Sequence, residues 1–329
     1  MSTPLPPLLG TSPAIRRALE LIDRYAPTTL SMLVVGPTGT GKELVARHVH
    51  ARSRRAGPFV PVNCGALPRE MTESLLFGHR RGAFSGAVES RRGHFERADR
   101  GTLFLDEVLC LAPEGQTKVL RALDTGEIQP LGEEGERFVD LHVVAAAQGS
   151  VWTDLDDGTF RSDLYQRIAG IVVVLPPLAE RAEDILPIAQ YFTELVGRSL
   201  ERGADRVLER HSWPGNVREL RQVIERAGQL VENGTLPPAA LAEAIHIGAR
   251  PGAGSAGSAT GAGDRRAWIS VCESNGWDVE RIAKAVGVRR SQLYARLRAA
   301  GTSLKELRKS GLSGGRPADR PDVSGSAIP

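Results

Sequence analysis

Residues 31–43, SMLVVGPTGTGKE, constrain this chain more than any other stretch. A short apolar run stops at Gly36, three glycines (Gly36, Gly39, Gly41) follow within six residues, and a helix-spaced run opens at Lys42. Glycine lets the backbone curl until successive N–H groups converge on one point, and the start of the helix adds its positive end there. Lys42 brings a further positive charge. Strand, curl and helix in this order form a phosphate-binding loop, which needs a buried parallel strand behind it. Gly36, Pro37, Thr38, Gly39, Thr40, Gly41, Lys42 and Glu43 are therefore the candidate phosphate ligands. Glu43 stands where the general pattern has Ser or Thr, so the hydroxyl that usually reaches magnesium is missing and a metal must be held otherwise.

The strand behind the loop has companions. PFVPVN (58–63), GTLFLDE (101–107), DLHVVAAA (140–147) and GIVVVLPPL (170–178) are further β-rich runs, each followed by a helix-like stretch. That alternation predicts an α/β fold with a mostly parallel sheet. Residues 181–231 then read as all helix, a smaller second subdomain. GARPGAGSAGSATGAG (248–263) has the composition of a flexible linker, and 310–329 that of a disordered tail. The expected organisation is an α/β core over 8–178, a helical lid over 179–247, the linker, a small helical domain over 264–309, and the tail.

Bulk composition excludes several classes. The 329 residues carry a formal net charge of only +3, so the chain is no general polycation. Three cysteines, Cys64, Cys110 and Cys272, are far apart and odd in number, which fits a reducing compartment rather than a disulfide framework. No apolar run is long enough to cross a bilayer, and the first residues lack the basic start and apolar core of a secretion signal. Cytoplasm is the expected location, with no membrane partner.

GTLFLDE supplies a second half for the loop. Four apolar positions end in Asp106 and Glu107, where a parallel strand delivers side chains to the loop's edge. Asp106 can hold magnesium through water, and Glu107 can polarise an attacking water. A different signal lies in GAFSGA (82–87): Gly82, Ala83, Phe84, Ser85, Gly86 and Ala87 carry no charge, and Arg80, Arg81, Arg91 and Arg92 flank them. A small loop with one large apolar tip is poor core material and suits a partner.

These motifs, with FRSDLYQRI, LPPLAERAEDI and WPGNVREL in the same order, resemble the AAA+ ATPase domain of bacterial enhancer-binding proteins, the activators of sigma-54 RNA polymerase. The resemblance runs from about residue 8 to 236, with a further match at 264–301. It implies ATP and Mg2+ as cofactors, a parallel-sheet P-loop core with a helical lid, and a ring, expected as a hexamer, with a dimer off DNA. It implies that residues 82–87, the counterpart of the family's GAFTGA loop, touch sigma-54, with Ser85 in place of the usual Thr. Asn63 matches the family's switch residue, though an Asn at a strand end also reads as a turn former. Arg161 and Arg167 match arginine fingers that reach a neighbouring subunit's ATP, worth on the order of a thousandfold in rate. Arg218 matches the sensor arginine of the lid, while Glu219 reads as a local cap or pair. Two positions depart from the pattern. Ala147 and Gln148 stand where the family has Thr and a γ-phosphate-sensing Asn, and Ala179 stands where it has Arg.

The basic end of the chain carries the remaining signal. Between Arg281 and Lys309, nine Lys and Arg residues face Glu306 alone. WDVERIAKAVGVRRSQLYARLRAAG (277–301) has a helix, a turn at Gly287 and a second helix, with Ile282, Ala283, Val286, Val288, Leu293 and Leu297 spaced to be buried together. Arg289, Arg290, Ser291, Gln292, Tyr294 and Arg296 populate the second helix. That is a helix-turn-helix pattern with a candidate major-groove helix, similar to the Fis-like domain that ends the same family. Trp268 and Trp277 are expected in its core.

The sequence thus predicts an ATP-dependent activator that binds enhancer DNA and remodels sigma-54 RNA polymerase holoenzyme. With almost nothing ahead of residue 8, control is expected from a trans-acting regulatory protein, expression level or DNA-driven assembly. An ATPase-silent DNA-binding regulator of the same fold is the alternative, and a different AAA+ machine, disfavoured by residues 82–87, is a second.

Overall fold

The computed structural model describes residues 5–248 except 233 and, toward the C-terminus, residues 265–286, 293, 294, 297, 302–304, 307 and 308. The chain divides into two units, Met1–Ile247 and Gly248–Pro329. No helix among the described residues is long and apolar enough to cross a membrane.

The first unit opens with helix α1 (Pro13–Tyr25), whose N-terminus is capped by the Ser12 side chain accepting from the Ile15 N–H, with proline at the first position. Then come strand β1 (Met32–Val35), helix α2 (Lys42–Arg52), strand β2 (Phe59–Asn63), strand β3 (Thr102–Asp106), helix α3 (Pro113–Thr125), strand β4 (His142–Ala147), helix α4 (Ser162–Ile168) and strand β5 (Ile171–Val174). All five strands pair in parallel in the order β2-β3-β4-β1-β5. Successive side chains on a strand face opposite ways, so each run feeds two cores. Met32, Val34, Phe104, Val144 and Ala146 pack with Ile15, Ile22, Val45 and Val49 on the face that α1 and α2 cover. Leu33, Val35, Leu103, Leu105, Val143 and Ala145 pack with Val119, Leu123, Leu164 and Ile168 on the other face. The runs lack polar alternation because both faces are covered.

Register decides where the site falls. Asn63 lies opposite Asp106, and Val35 opposite Ala147. The ends of β1, β2, β3 and β4 therefore open on one edge of the sheet, the edge where ligands bind in open α/β folds. Two inserted pairs stand outside the sheet. Gly78–His79 pairs with Arg91–Arg92 around residues 80–90, and Glu127–Ile128 pairs with Arg137–Phe138. Sequence alternation did not mark either, because two-residue strands carry no period.

The 181–231 region is helical but interrupted. Helices α5 (Ile185–Leu195), α6 (Ala204–Arg210), α7 (Asn216–Leu230) and α8 (Pro238–Gly248) pack around Trp213, Leu208, Leu220, Val223, Ile224 and Leu241. Ser199–Leu200 and Thr235–Leu236 form a short parallel pair between them. Trp213 is buried and its indole N–H donates to the Leu208 carbonyl at 2.8 Å.

In the second unit, helices α9 (Arg265–Ser274) and α10 (Val279–Ala285) are joined by a turn, and Asp278 caps α10. Trp268, Cys272, Ile282, Ala283, Leu293, Leu297 and Leu307 are buried together, and Trp277 and Val286 pack against them. Tyr294 is exposed. Arg289, Arg290, Ser291, Gln292 and Arg296 lie outside the described residues, as do the expected linker beyond Gly248 and the tail from 310.

One buried group makes stability depend on pH. His142 is 1% exposed, its Nε2–H donates to the Leu30 carbonyl at 2.8 Å, and its Nδ1 has no partner. Burial holds the imidazole below the ordinary histidine value, as it does for His48 and His50. The unfolded chain therefore takes up the proton first on acidification, and stability falls as pH drops below about 6.5. The urea midpoint should decrease between pH 7.5 and 5.5, and His142→Gln should make that decrease shallower.

Candidate functional site

A cleft of about 570 Å3 lies over the edge where β1, β2, β3 and β4 end. Thr38, Gly39, Gly41, Lys42 and Glu43 line it from the loop, Asn63, Asp106, Ala147 and Gln148 from the strand ends, and Arg218 from the lid, with Glu107 beside Asp106. Residues spread over 180 positions thus converge on one space, and each arrives from an element whose end the register places there.

The backbone from Gly36 to Gly41 is curled, with Gly39 and Gly41 at φ 82° and 107°. A curl that turns N–H groups inward turns carbonyls outward, and those must also be satisfied. Lys42 Nζ donates to the carbonyls of Gly36 (2.8 Å) and Pro37 (3.0 Å), and the buried Thr40 hydroxyl also donates to Pro37. Asn216 Nδ2 donates to Thr38 O at 2.9 Å, the Arg218 N–H to Gly39 O at 3.3 Å, and Arg181 Nη2 to Thr40 O at 2.9 Å. Gly41 O accepts from Val45 within the first turn of α2, at 3.1 Å. A Cβ on Gly39 would run into the Gly215 carbonyl, so the lid sits against the loop at a spacing only glycine permits. Burial lowers the Lys42 ammonium below the ordinary lysine range, while Asp106 and Glu107 pull it back up and Arg218 lowers it further.

Glu107 has a left-handed backbone, φ 53° and ψ 44°, a conformation non-glycine residues hold only where the surroundings enforce it. Its N–H donates to Asp106 Oδ1 at 3.0 Å. A Cβ on Gly65 would collide with Glu107 Oε2 and stand 3.2 Å from Asn63 Oδ1, so both side chains flank that glycine. Asn63 Oδ1 accepts from the Ala66 N–H at 3.1 Å, which is the turn-forming contact, made inside the cleft. Cys64 is buried behind this turn, and burial pushes its thiol up to about 12. Glu43 is exposed at the cleft's rim and pairs with Arg47 at 2.7 Å.

Arg161 and Arg167 do not line this cleft. Arg161 precedes α4 and forks onto Asp163 at 2.7 and 3.0 Å. Arg167, near the end of α4, donates through Nε to the Leu123 carbonyl at 2.9 Å and pairs with Asp124 at 3.3 Å. Both guanidinium groups are about half exposed.

Residues 82–87 form a closed loop. The Gly82 N–H donates to Ala87 O (2.8 Å), and the Ala87 N–H to Phe84 O (3.0 Å). Gly82 and Gly86 take φ 82° and 102°. Phe84 is 40% exposed and its ring meets the His79 ring edge-on, 5.0 Å between centroids. Ser85 is exposed and Ala87 buried. The 127–138 hairpin braces the loop's base: the Arg80 N–H donates to Leu131 O at 2.9 Å, and Arg80 forks onto Glu133. Arg137 binds Glu133 and Glu96, and the two arginines hold the Glu133 carboxyl below the usual carboxylate range.

Sequence reading missed Asn216, Arg181 and Asp184. Asn216 is 3% exposed at φ 55°; its Oδ1 accepts from Leu178 N at 2.8 Å while its Nδ2 holds Thr38. Asp184, fully buried, accepts from Thr11 N–H (2.6 Å), Ser12 N–H (2.8 Å) and the Ser12 hydroxyl (2.6 Å). The available signal was an Asn directly after a glycine in WPGNVREL and an Arg–Asp pair three apart in LAERAEDI. Glu219 does act locally, accepting from the Gly215 N–H at 2.7 Å and from His211 at 2.8 Å.

Known proteins match this architecture. Residues 8–174 match the sigma-54 interaction domain, and residues 179–256 match an AAA+ ATPase lid domain. The Nif-specific regulatory protein of Azotobacter vinelandii is 37% identical, over 91% of this chain and 60% of its own length. The nitric oxide reductase transcription regulator NorR2 of Cupriavidus necator is 49% identical, over 67% of this chain and 44% of its own. The chain thus spans between 44% and 60% of the length of these two curated relatives. The crystal structure of NtrX from Brucella abortus in complex with ATP is 34% identical, covers 90% of this chain and 70% of that one, and superposes with a TM-score of 0.65. RuvB of Thermotoga maritima, at 13% identity and a TM-score of 0.58, shares the fold alone. With the matched domain spanning half its residues, the chain belongs to the sigma-54 interaction domain family and carries an AAA+ ATPase lid.

Proposed function

We propose that this protein is a cytoplasmic, ATP-hydrolysing activator of sigma-54 RNA polymerase holoenzyme that binds enhancer DNA through its C-terminal unit. The carrying observation is the cleft itself, where a glycine-curled loop, Lys42, two strand-end carboxylates, Asn63, Gln148 and a lid arginine face one another. ATP binds with its phosphates on the N–H groups of residues 38–43, since Pro37 has none and that of Gly36 is bonded to Ala147 O, and Lys42 turns from its own loop's carbonyls to the outer phosphates. Glu107 polarises the water that attacks the γ-phosphorus; the bond to the β-bridging oxygen breaks, and ADP and phosphate leave. Asn63, which flanks Gly65 together with Glu107, is the switch that restrains it. Gln148, which lines the cleft, senses the γ-phosphate through an amide one methylene further out than asparagine's.

Mg2+ fits the donors present. They are hard oxygens, and no group of three or more acidic, His or Cys residues that could hold a metal occurs among the described residues, so the phosphates must complete the coordination. Bound there, the ion would neutralise phosphate charge; Asp106 would hold it through water, without help from Glu43.

Arg161 and Arg167 do not line their own cleft; leaving Asp163 and Asp124, they would serve a neighbour's, and the active form on this reading is a ring, read as a hexamer. The loop 82–87, with Phe84 half out of its shelter against His79, is the sigma-54 contact. Arg289, Arg290, Ser291, Gln292, Tyr294 and Arg296 form the DNA-reading set, and the protein is a dimer off DNA that binds paired half-sites.

The ATPase rate per chain should rise with protein concentration, fall at least a hundredfold in Glu107→Gln, and fall on the order of a thousandfold in Arg161→Ala without loss of ATP binding. A flat, negligible rate in the native chain despite ATP binding would favour an ATPase-silent regulator. Ser85→Thr adds one methyl group at the loop's exposed face, so sigma-54 binding in the presence of a transition-state nucleotide mimic should tighten by up to about fourfold, measured by fluorescence anisotropy.

A further inference from the structure

The outward side of the phosphate loop is read by the lid. Of the six carbonyls from Gly36 to Gly41, the first two are bonded by the loop's own Lys42 and Thr40, and the last by α2. The middle three, on Thr38, Gly39 and Thr40, are each bonded by a group from beyond residue 178: Asn216, Arg218 N–H and Arg181. These carbonyls share their planar peptide units with the N–H groups of Gly39, Thr40 and Gly41, so a rotation of any unit toward a ligand moves its carbonyl as well.

Asn216 is the pivotal one of the three. Its amide orientation is settled by chemistry, since the Leu178 N–H can only donate and the Thr38 carbonyl can only accept. One buried side chain therefore ties the loop to the strand-to-lid connection at Leu178. It also stands at the first position of α7, two residues before Arg218, whose side chain lines the cleft. Its left-handed φ of 55° aims the amide back at the loop, a conformation asparagine tolerates better than most residues.

We propose that Asn216 is a positioning residue that sets Arg218 against the outer phosphates by bonding the Thr38 carbonyl, so the lid senses loop geometry from behind rather than through the nucleotide alone. Arg181, 2% exposed and bonded to Thr40 O, is the second prong of the same grip. The inference rests on the nucleotide-binding reading above.

Asn216→Asp tests it. The carboxylate still accepts from Leu178 but offers a lone pair, not a donor, to Thr38. Calorimetric titration of the full chain with ATPγS and with ADP, each with Mg2+, measures how well the site distinguishes the third phosphate. In Asn216→Asp the ratio of the two affinities should shrink about tenfold toward one. In Arg218→Ala it should shrink similarly, and the double variant should show no further loss, because Asn216 acts through Arg218. A merely structural role would weaken both nucleotides alike and add to the Arg218→Ala loss. Should Asn216→Asp fail to fold by its urea transition, Asn216→Gly keeps the left-handed backbone, removes the amide and should give the same ratio. An unchanged ratio, or additive losses, in a chain that binds ATPγS overturns the inference alone. A native chain that binds neither nucleotide overturns it together with the ATPase reading.

Discussion

The hydrogen-bond requirement of one curled hexapeptide organises much of the first unit. A loop that gathers its N–H groups for a ligand exposes a matching set of carbonyls on its back, and burying them unpaired would cost on the order of 1–3 kcal/mol each. Here each of the six has a donor. The lid is where it is because three of those donors come from it. A Cβ on Gly39 would meet the Gly215 carbonyl, so only glycine permits so close an approach. Loop and lid therefore share their hydrogen bonds directly, with no intervening element between the carbonyls and their donors.

A second chain of contacts runs away from the cleft. Asp184 ties the start of α1 to the lid, and Arg181 beside it reaches the loop. On the opposite side of the sheet's edge, Glu107 is held in a strained backbone next to the Asn63 turn, whose successor elements lead to the pair Gly78–His79 and the loop 82–87. That loop is not a free tether. Its base is bonded to the 127–138 hairpin through Leu131 and through the Arg80–Glu133–Arg137–Glu96 array. These ion pairs are partly exposed and individually contribute little, but a shared carboxylate between two arginines fixes the geometry of both loops together.

Much of this was legible in the residues. Glycine spacing after an apolar run marks the curl because few other sequences can make it, and fully apolar strands mark a sheet covered on both faces. Asp106 and Glu107 could be placed beside the loop because a strand that ends in carboxylates delivers them to the same edge as its neighbours. Asn216, Arg181 and Asp184 were not legible as partners. A polar residue in a helical stretch reads as solvated until the element packed against it is known, and their partners lie between 38 and 178 positions away in the chain. The inserted hairpins escaped for a different reason, since two-residue strands have no alternation to detect.

By itself the sequence determined local conformation and chemistry: where the backbone must curl, which runs must be buried, and which residue types could bind phosphate, hold a cation or move a proton. Those follow from backbone sterics and side-chain polarity, which are properties of a few neighbouring residues. Only the tertiary structure decided the strand order and register that set Asn63 beside Asp106 and Ala147 beside Val35, the identity of the donors behind the phosphate loop, and the exclusion of Arg161 and Arg167 from their own cleft. Hydrogen-bond pairing across long sequence separations depends on which surfaces pack together, and many side chains of the same polarity could have met the same demand.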